Sequence, residues 1–274
     1  MKLIALIENK ATGRLIGEHG LAVYIEYNEK KYLLDTGASN QFLSNADELK
    51  IDLSHVDAAI LSHSHYDHSG GYDGFFDKNN KAKVYLRSEA REQCYAKFGP
   101  IKKYIGIPLG TLDKFNDRFV YVDGEYKIDE GVWLIPHKAD GLDARGKKAH
   151  MYRKTANGMI ADDFHHEQSL VFETESGLVI LNSCCHGGVD NIVREVKEIF
   201  KGKEVLVVVG GFHLMGIMGT NSMSGKPDEI RALGKRLIDL GVKHIYTGHC
   251  TGKPAYSILK EVLGDRLQYF STGN

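Results

Sequence analysis

Between Leu61 and Gly71 the chain reads LSHSHYDHSGG, which sets His63, His65, Asp67 and His68 within six residues. Imidazole nitrogen and carboxylate oxygen are the ligands that zinc and related divalent ions prefer, and four of them so close together suffice for two ions. A histidine-rich polar surface turn is the alternative, and it has no use for four coordinating groups at this spacing. Val56, Ala58, Ala59, Ile60 and Leu61 form the short apolar run of a buried strand just ahead, and Gly70 with Gly71 breaks the chain just after. On a helix, residues two apart do not face one another, so His63 and His65 need extended backbone to share an ion, while Asp67 and His68 turn to a neighbouring position. The sequence therefore predicts a metal-binding loop that leaves the end of a strand.

Around that loop the pattern alternates strands and helices. Residues 2–8, 21–27 and 31–34 read as three strands of a meander that starts a first sheet. Phe42, Ala46 and Leu49 have helical spacing, which predicts a helix over 40–50 leading into the motif strand. Lys83 to Leu86 reads as a strand and Ser88 to Ala96 as a helix with Ser88 at its N-cap; Phe119 to Val122 and Val132 to Ile135 are strands. In the second half, strands over 169–173, 178–182, 205–209 and 244–247 alternate with helices over 189–200, 227–240 and 255–263, the arrangement of sheets with helices outside. Regularity fails over 99–110 and 137–165, and long irregular stretches in compact domains are usually binding loops or disordered, so both are expected to cover the substrate side.

Composition narrows the class. At 274 residues, 42% apolar and 26% charged, the chain suits one soluble globular domain spanning 1–274, with no repeat or linker to mark a boundary. A net charge of −1 argues against a general nucleic-acid binder. MKLIALIENK holds too short an apolar run for a signal peptide or membrane span, so a cytoplasmic location without membrane contact is the expectation. Four cysteines, Cys94, Cys184, Cys185 and Cys250, are too few and too unevenly placed for a disulfide framework.

Each apolar strand of the second half ends in Gly, Ser or Cys and then a histidine: His186, His213 and His249. Glycine at such corners permits a sharp turn or a close approach to a ligand. The run His63-Ser-His65-Tyr-Asp67-His68 resembles the HxHxDH signature of the metallo-β-lactamase superfamily. Asp35-Thr-Gly37, Ser183-Cys-Cys-His186-Gly-Gly, Gly210-Gly-Phe-His213-Leu and Gly248-His249-Cys-Thr-Gly252 resemble, in order, blocks of a subgroup named for dihydropterin-methyl ribofuranosylaminobenzene phosphate synthases. The resemblance implies an α/β fold in four layers, an αββα sandwich, with a one- or two-metal site at one edge. It matches His249 to the superfamily's last metal-binding histidine and makes His186 the choice to complete the set of His63 and His65. One departure stands out: the usual bridging aspartate would fall near Cys184, which either ligates as a thiolate or simply packs. His165 and His166, just ahead of a strand, compete with His186. Asp35 ends a strand, where it either accepts a hydrogen bond from a ligand histidine or caps a turn.

These readings point to metal-dependent hydrolysis of a small, phosphorylated or pterin-like substrate. One ion on His63, His65 and His186 would activate water, and a second on Asp67, His68 and His249 would polarise the substrate, with Zn2+ first choice and Fe or Mn as alternatives. Asp67 would also orient the water or accept its proton; His213 would contact substrate or donate a proton, or else be a core histidine bonded to a carbonyl. Arg145, Lys147, Lys148, Arg153 and Lys154 form either a phosphate clamp or a solvated basic loop, and Tyr104, Trp133, Tyr152 and Phe164 either stack on a flat ring or pack the cover. Two other functions remain open: iron-dependent oxidoreduction on the same scaffold, and ligand binding without turnover. The partner expected is a small molecule, not nucleic acid or membrane.

Overall fold

Lys2–Ile7, Ala22–Tyr27 and Lys30–Leu34 pair antiparallel in order, as the predicted meander requires. The computed structural model describes residues 1–216 and 218–274 and divides into two compact units, each with its own core. The class is mixed α/β with several sheets.

The first unit comprises Met1–Asp123, Asp140–Gln168 and Ser271–Asn274. Its meander continues through three parallel strands, Ala58–Ile60, Lys83–Arg87 and Phe119–Val122, into one sheet of six. Phe42 and Ala46 from the helix Gln41–Glu48, with Tyr72, Phe75 and Phe76 from Tyr72–Lys78, bury against Leu33, Ala59, Val84 and Leu86 of that sheet. Each fully buried large side chain contributes about 1.5–3 kcal/mol, so this face holds the motif strand in place.

Two stretches differ from the sequence reading. Ser88 to Ala96 is not a helix: a single tight turn at Ser88–Arg91 runs into the strand Gln93–Phe98. Cys94 is buried there while Lys97 is exposed, and neighbours Ile101–Tyr104 and Met151–Thr155 on either side supply hydrogen bonds that outweigh local helical preference. The stretches 99–110 and 137–165 are likewise more regular than expected. They contribute Ile101–Tyr104 and the hairpin Met151–Thr155 with Gly158–Ala161 to a four-stranded antiparallel sheet, and the helix Leu142–Lys148 precedes that hairpin. Their polar, glycine-rich sequence hid strands that bury only one face.

The second unit comprises Gly124–Ala139 and Ser169–Phe270. Gly177–Leu181, Val205–Val209, His244–Thr247 and Leu267–Tyr269 run parallel in its sheet. Helices Val189–Ile199, Pro227–Asp239 and Lys253–Leu263 pack one apolar stripe each on it, through Ile192 and Val196, Ile230 and Leu237, and Ala255 and Leu259. Pro227 opens its helix where a missing N–H costs nothing, and the Glu229 carboxylate accepts from the Lys226 N–H. Among the described residues no helix is long and apolar enough to cross a membrane.

The buried side chain of Asn79 ties the motif strand to its neighbour. Its Nδ2 donates to the carbonyls of Leu53 and Val56, both at 2.9 Å, and its Oδ1 accepts from Lys81 and Ala82 at 3.0 and 2.8 Å. Asn79→Ala removes these hydrogen bonds to largely buried backbone groups and is expected to cost about 1–3 kcal/mol. Urea unfolding checks this as a lower midpoint with unchanged slope.

Candidate metal centre

The motif strand ends at Ile60, and the loop that follows is fixed by one carboxylate. Asp35 is fully buried at the end of Lys30–Leu34, its own N–H donating to the Ile60 carbonyl at 2.9 Å. Its Oδ1 accepts the Ser62 N–H at 2.7 Å, and its Oδ2 accepts both the Ser62 hydroxyl at 2.7 Å and His68 Nδ1 at 2.8 Å. Ser62 has a single hydroxyl proton, already given to Asp35, so its oxygen accepts from His63 Nδ1 at 2.8 Å. One carboxylate thereby sets the tautomer of two histidines, directly for His68 and through Ser62 for His63, and leaves each Nε2 with its lone pair. Of the two sequence readings of Asp35, this is the histidine-orienting one.

His63, His65 and His68 are buried together, with the His63 ring centroid 4.6 Å from that of His65 and 4.3 Å from that of His68. Asp67 Oδ2 lies 3.6 Å from His68 Nε2 and 3.3 Å from His19 Nε2. His19 carried no signal in the sequence, and only the fold brings it to the motif. Burial pushes His65 down to about 3, so its imidazole is neutral at pH 7. A neutral ring is what a metal requires of histidine.

From the other side the loop is braced by Asp162 to Gln168. The Ser64 N–H, between the two motif histidines, donates to His166 Nδ1 at 3.2 Å, so the ring proton sits on Nε2, which meets Asp162 Oδ2 at 3.1 Å and Cys94 Sγ at 3.6 Å. Gln168 Nε2 donates to the carbonyls of Leu61 and Tyr85 at 2.9 and 3.1 Å. His166, a competitor for the third-ligand role in the sequence, thus uses both ring nitrogens to hold its surroundings, and the half-exposed His165 lies beside Asp163. Gly70 completes the seat: a Cβ there would lie 2.1 Å from the Ala38 carbonyl oxygen, so only glycine lets the turn after His68 close on the loop that begins at Asp35.

The donors fit a divalent ion. Two ligands bonded at about 2.1 Å to a tetrahedral ion stand about 3.4 Å apart, close to the 3.6 Å between His68 Nε2 and Asp67 Oδ2. The buried tethers to Asp35 and Ser62 are the outer-shell partners that metal-bound histidines characteristically have.

The remaining predicted residues belong to the second unit. Gly177–Leu181, Val205–Val209 and His244–Thr247 run parallel, so their carboxyl ends share one edge, where Cys184, Cys185 and His186, then His213, then His249 and Cys250 emerge. The His186 and His213 ring centroids are 4.2 Å apart. Cys184, His249 and Cys250 are buried, and the two sulfurs lie 3.3 Å apart. Burial alone would raise the Cys250 thiol, but the Cys184 hydrogen bond and the nearby His249 and His213 outweigh it and hold it well below its usual range. The sequence reading passed over Cys250.

Two secondary expectations resolve. Arg153 is not a phosphate clamp: its guanidinium is largely buried between Glu92 and Asp163. Phe164 is fully buried, and Trp133 donates to Glu173 while packing on Phe200, so both rings pack their units.

Residues 15–150 match the family model of the metallo-beta-lactamase superfamily. A Methanocaldococcus jannaschii protein, 7,8-dihydropterin-6-methyl-4-(beta-D-ribofuranosyl)-aminobenzene-5'-phosphate synthase, is 28% identical over 271 residues, covering 93% of this chain and 88% of that one. The crystal structure of Tm1679, a metal-dependent hydrolase of the beta-lactamase superfamily, superposes with a TM-score of 0.83 at 30% identity, covering 99% of this chain and 96% of the other. YhfI from Bacillus subtilis, at 11% identity and a TM-score of 0.57 over 99% of this chain and 96% of its own, shares the fold.

His166→Ala leaves the Ser64 N–H without its acceptor and is expected to destabilise by about 1–3 kcal/mol and to speed exchange of that amide. In His166→Asn the Oδ1 stands where Nδ1 stood, so most of both losses should be recovered. Hydrogen exchange and thermal melting of the two variants check this.

Proposed function

The chain belongs to the metallo-β-lactamase superfamily, and on that premise we propose that it is a metal-dependent hydrolase acting on a small, phosphorylated or pterin-like substrate. The observation that carries the reading is the Asp35–Ser62 network, which commits two histidine tautomers before any ion arrives. Metal ligands need that commitment, whereas a merely structural polar cluster does not.

Of the divalent ions, zinc suits the nitrogen-rich donors of His63, His65, Asp67 and His68 best, with iron and manganese as alternatives. When bound, such an ion lowers the pKa of a water from 15.7 toward about 7 and polarises a carbonyl or phosphoryl oxygen. The protein's own groups do the rest. His65 stays neutral and His63 is held by Ser62, so ligation costs little reorganisation. Asp67, close to both His68 and His19, orients the attacking water and accepts its proton, and His19, half exposed at the same carboxylate, is placed to take that proton toward solvent. His213, half buried beside His186, is proposed to donate a proton to the leaving group. The phosphorylated ribofuranosyl and pterin parts in the name of the Methanocaldococcus jannaschii relative support the substrate class, and its being a synthase supports a second reading in which the same groups serve an addition or elimination.

His63→Ala is expected to abolish turnover of phosphoesters and to lower bound metal, with an unchanged far-ultraviolet circular dichroism spectrum. Retained turnover would overturn the mechanism. Asp35→Ala frees both rings and should weaken metal binding by about 10–100-fold, read by competition with a chromophoric chelator.

A further inference from the structure

The hydrolase reading makes no use of the outer face of the four-stranded antiparallel sheet. Across it Tyr95 pairs with Tyr152 on one side and with Tyr104 on the other, so three tyrosines form a row over neighbouring strands. Side chains alternate along a strand, which puts Lys97, its partner Lys102 and Lys154 on the same face and sends Cys94 and Arg153 to the opposite, buried one. The three lysines are exposed and the three tyrosines half-buried.

Two features set this face apart from an ordinary solvated sheet. Lys97 and Lys102 stand directly opposite each other, and like charges so placed destabilise a sheet. Neither segment supplies an acid to relieve them: residues 93–112 and 144–161 hold eight basic side chains and no acidic one, which leaves 27 of the chain's 35 basic residues against all 36 acidic ones elsewhere. A net charge of −1 conceals this separation. The rings are also fixed in place. The Tyr95 hydroxyl donates to Gln93 Oε1 at 2.7 Å and the Tyr104 hydroxyl to the Ile107 carbonyl at 2.5 Å, with the two ring centroids 5.4 Å apart. The Lys102 ammonium lies 4.0 Å from the Tyr95 centroid, and that of Lys97 lies 5.7 Å from the Tyr152 centroid. Cation–π contacts are weak at exposed sites, so an ammonium can leave its ring for a phosphate while a flat base takes its place.

We propose that this face binds single-stranded nucleic acid without sequence preference, by stacking of bases on Tyr95, Tyr104 and Tyr152 and by phosphate contacts from Lys97, Lys102 and Lys154. Interleaved rings and cations match a polymer in which every base has a face to stack and every linkage a charge. An anionic lipid surface fits less well: the exposed Phe98 and Ile101 alternate to the opposite face, so the lysines are not backed by groups that enter a bilayer. A second copy of the chain on this face would set lysine against lysine. The proposal goes beyond the hydrolase reading, involves no making or breaking of bonds, and does not depend on that reading.

The test is fluorescence anisotropy of a labelled oligothymidylate of about 15 nucleotides, titrated with the full-length chain. Wild type is expected to bind at about 50 mM KCl and to weaken steeply toward about 200 mM. Lys97→Gln combined with Lys102→Gln should lower affinity about tenfold or more and flatten the slope of log affinity against log salt by about 1.4, because each lost phosphate contact removes about 0.7. Tyr152→Leu keeps the bulk and loses the ring, and should cost about tenfold with the salt slope unchanged. His63→Ala should bind as wild type does, so failure of the metal mechanism leaves this result standing. No binding at low salt, undiminished binding by the lysine double variant or by Tyr152→Leu, or tighter binding of the corresponding duplex overturns the proposal. So does co-sedimentation with phosphatidylglycerol vesicles in a protein that does not bind the oligonucleotide. Lys97 and Lys102 are exposed, so their variant decides the matter even where Tyr152→Leu fails to fold.

Discussion

A single buried carboxylate constrains the first unit more than any other group. Asp35 sits in left-handed backbone with φ of 61°, a conformation aspartate tolerates better than most residues, and that turn aims its side chain at the far end of the next strand. Burying a carboxylate is costly unless hydrogen bonds compensate it, and three donors do so here. Those donors are the residues that flank and form the motif. The energetic need of Asp35 and the orientation of His63 and His68 are therefore met by the same contacts.

Around that centre the loop is held by parts with no catalytic chemistry of their own. Glu18 accepts from the N–H groups of Ala38 and Ser39 and steadies the turn that Gly70 packs against. His166 and Gln168 hold the other side. Rigidity of this kind is what a site gains from elements that fix rotamers before a ligand binds.

The strands and helices with strong periodicity were legible in the sequence, because helices such as Val189–Ile199 and apolar strands such as Val205–Val209 carry their burial pattern locally. So were the four donors of the motif and the histidine that follows each second-half strand. What the sequence hid depends on partners far along the chain. The strand Gln93–Phe98 reads locally as helix and is decided by two neighbours that pair with it. That His166 accepts from Ser64 shows only once the fold is formed, and His19 looks idle until the fold sets it beside Asp67. Cys250 was overshadowed by the histidine it follows, since no local pattern tells that its sulfur meets Cys184.

The brace on the motif has a consequence for biosynthesis. Ser64 and His166 are 102 positions apart, and Leu61 and Gln168 are 107 apart. At about 5–20 residues per second, a ribosome delivers the cluster of donors roughly 5–20 s before the segment that secures its outer side. The core built from Leu6 to Phe119 can form in that interval, so the nascent loop is held by Asp35, Ser62 and their neighbours in the first 119 residues, without His166 and Gln168. Metal choice made on the ribosome would thus be made by a looser set of ligands than the finished protein presents.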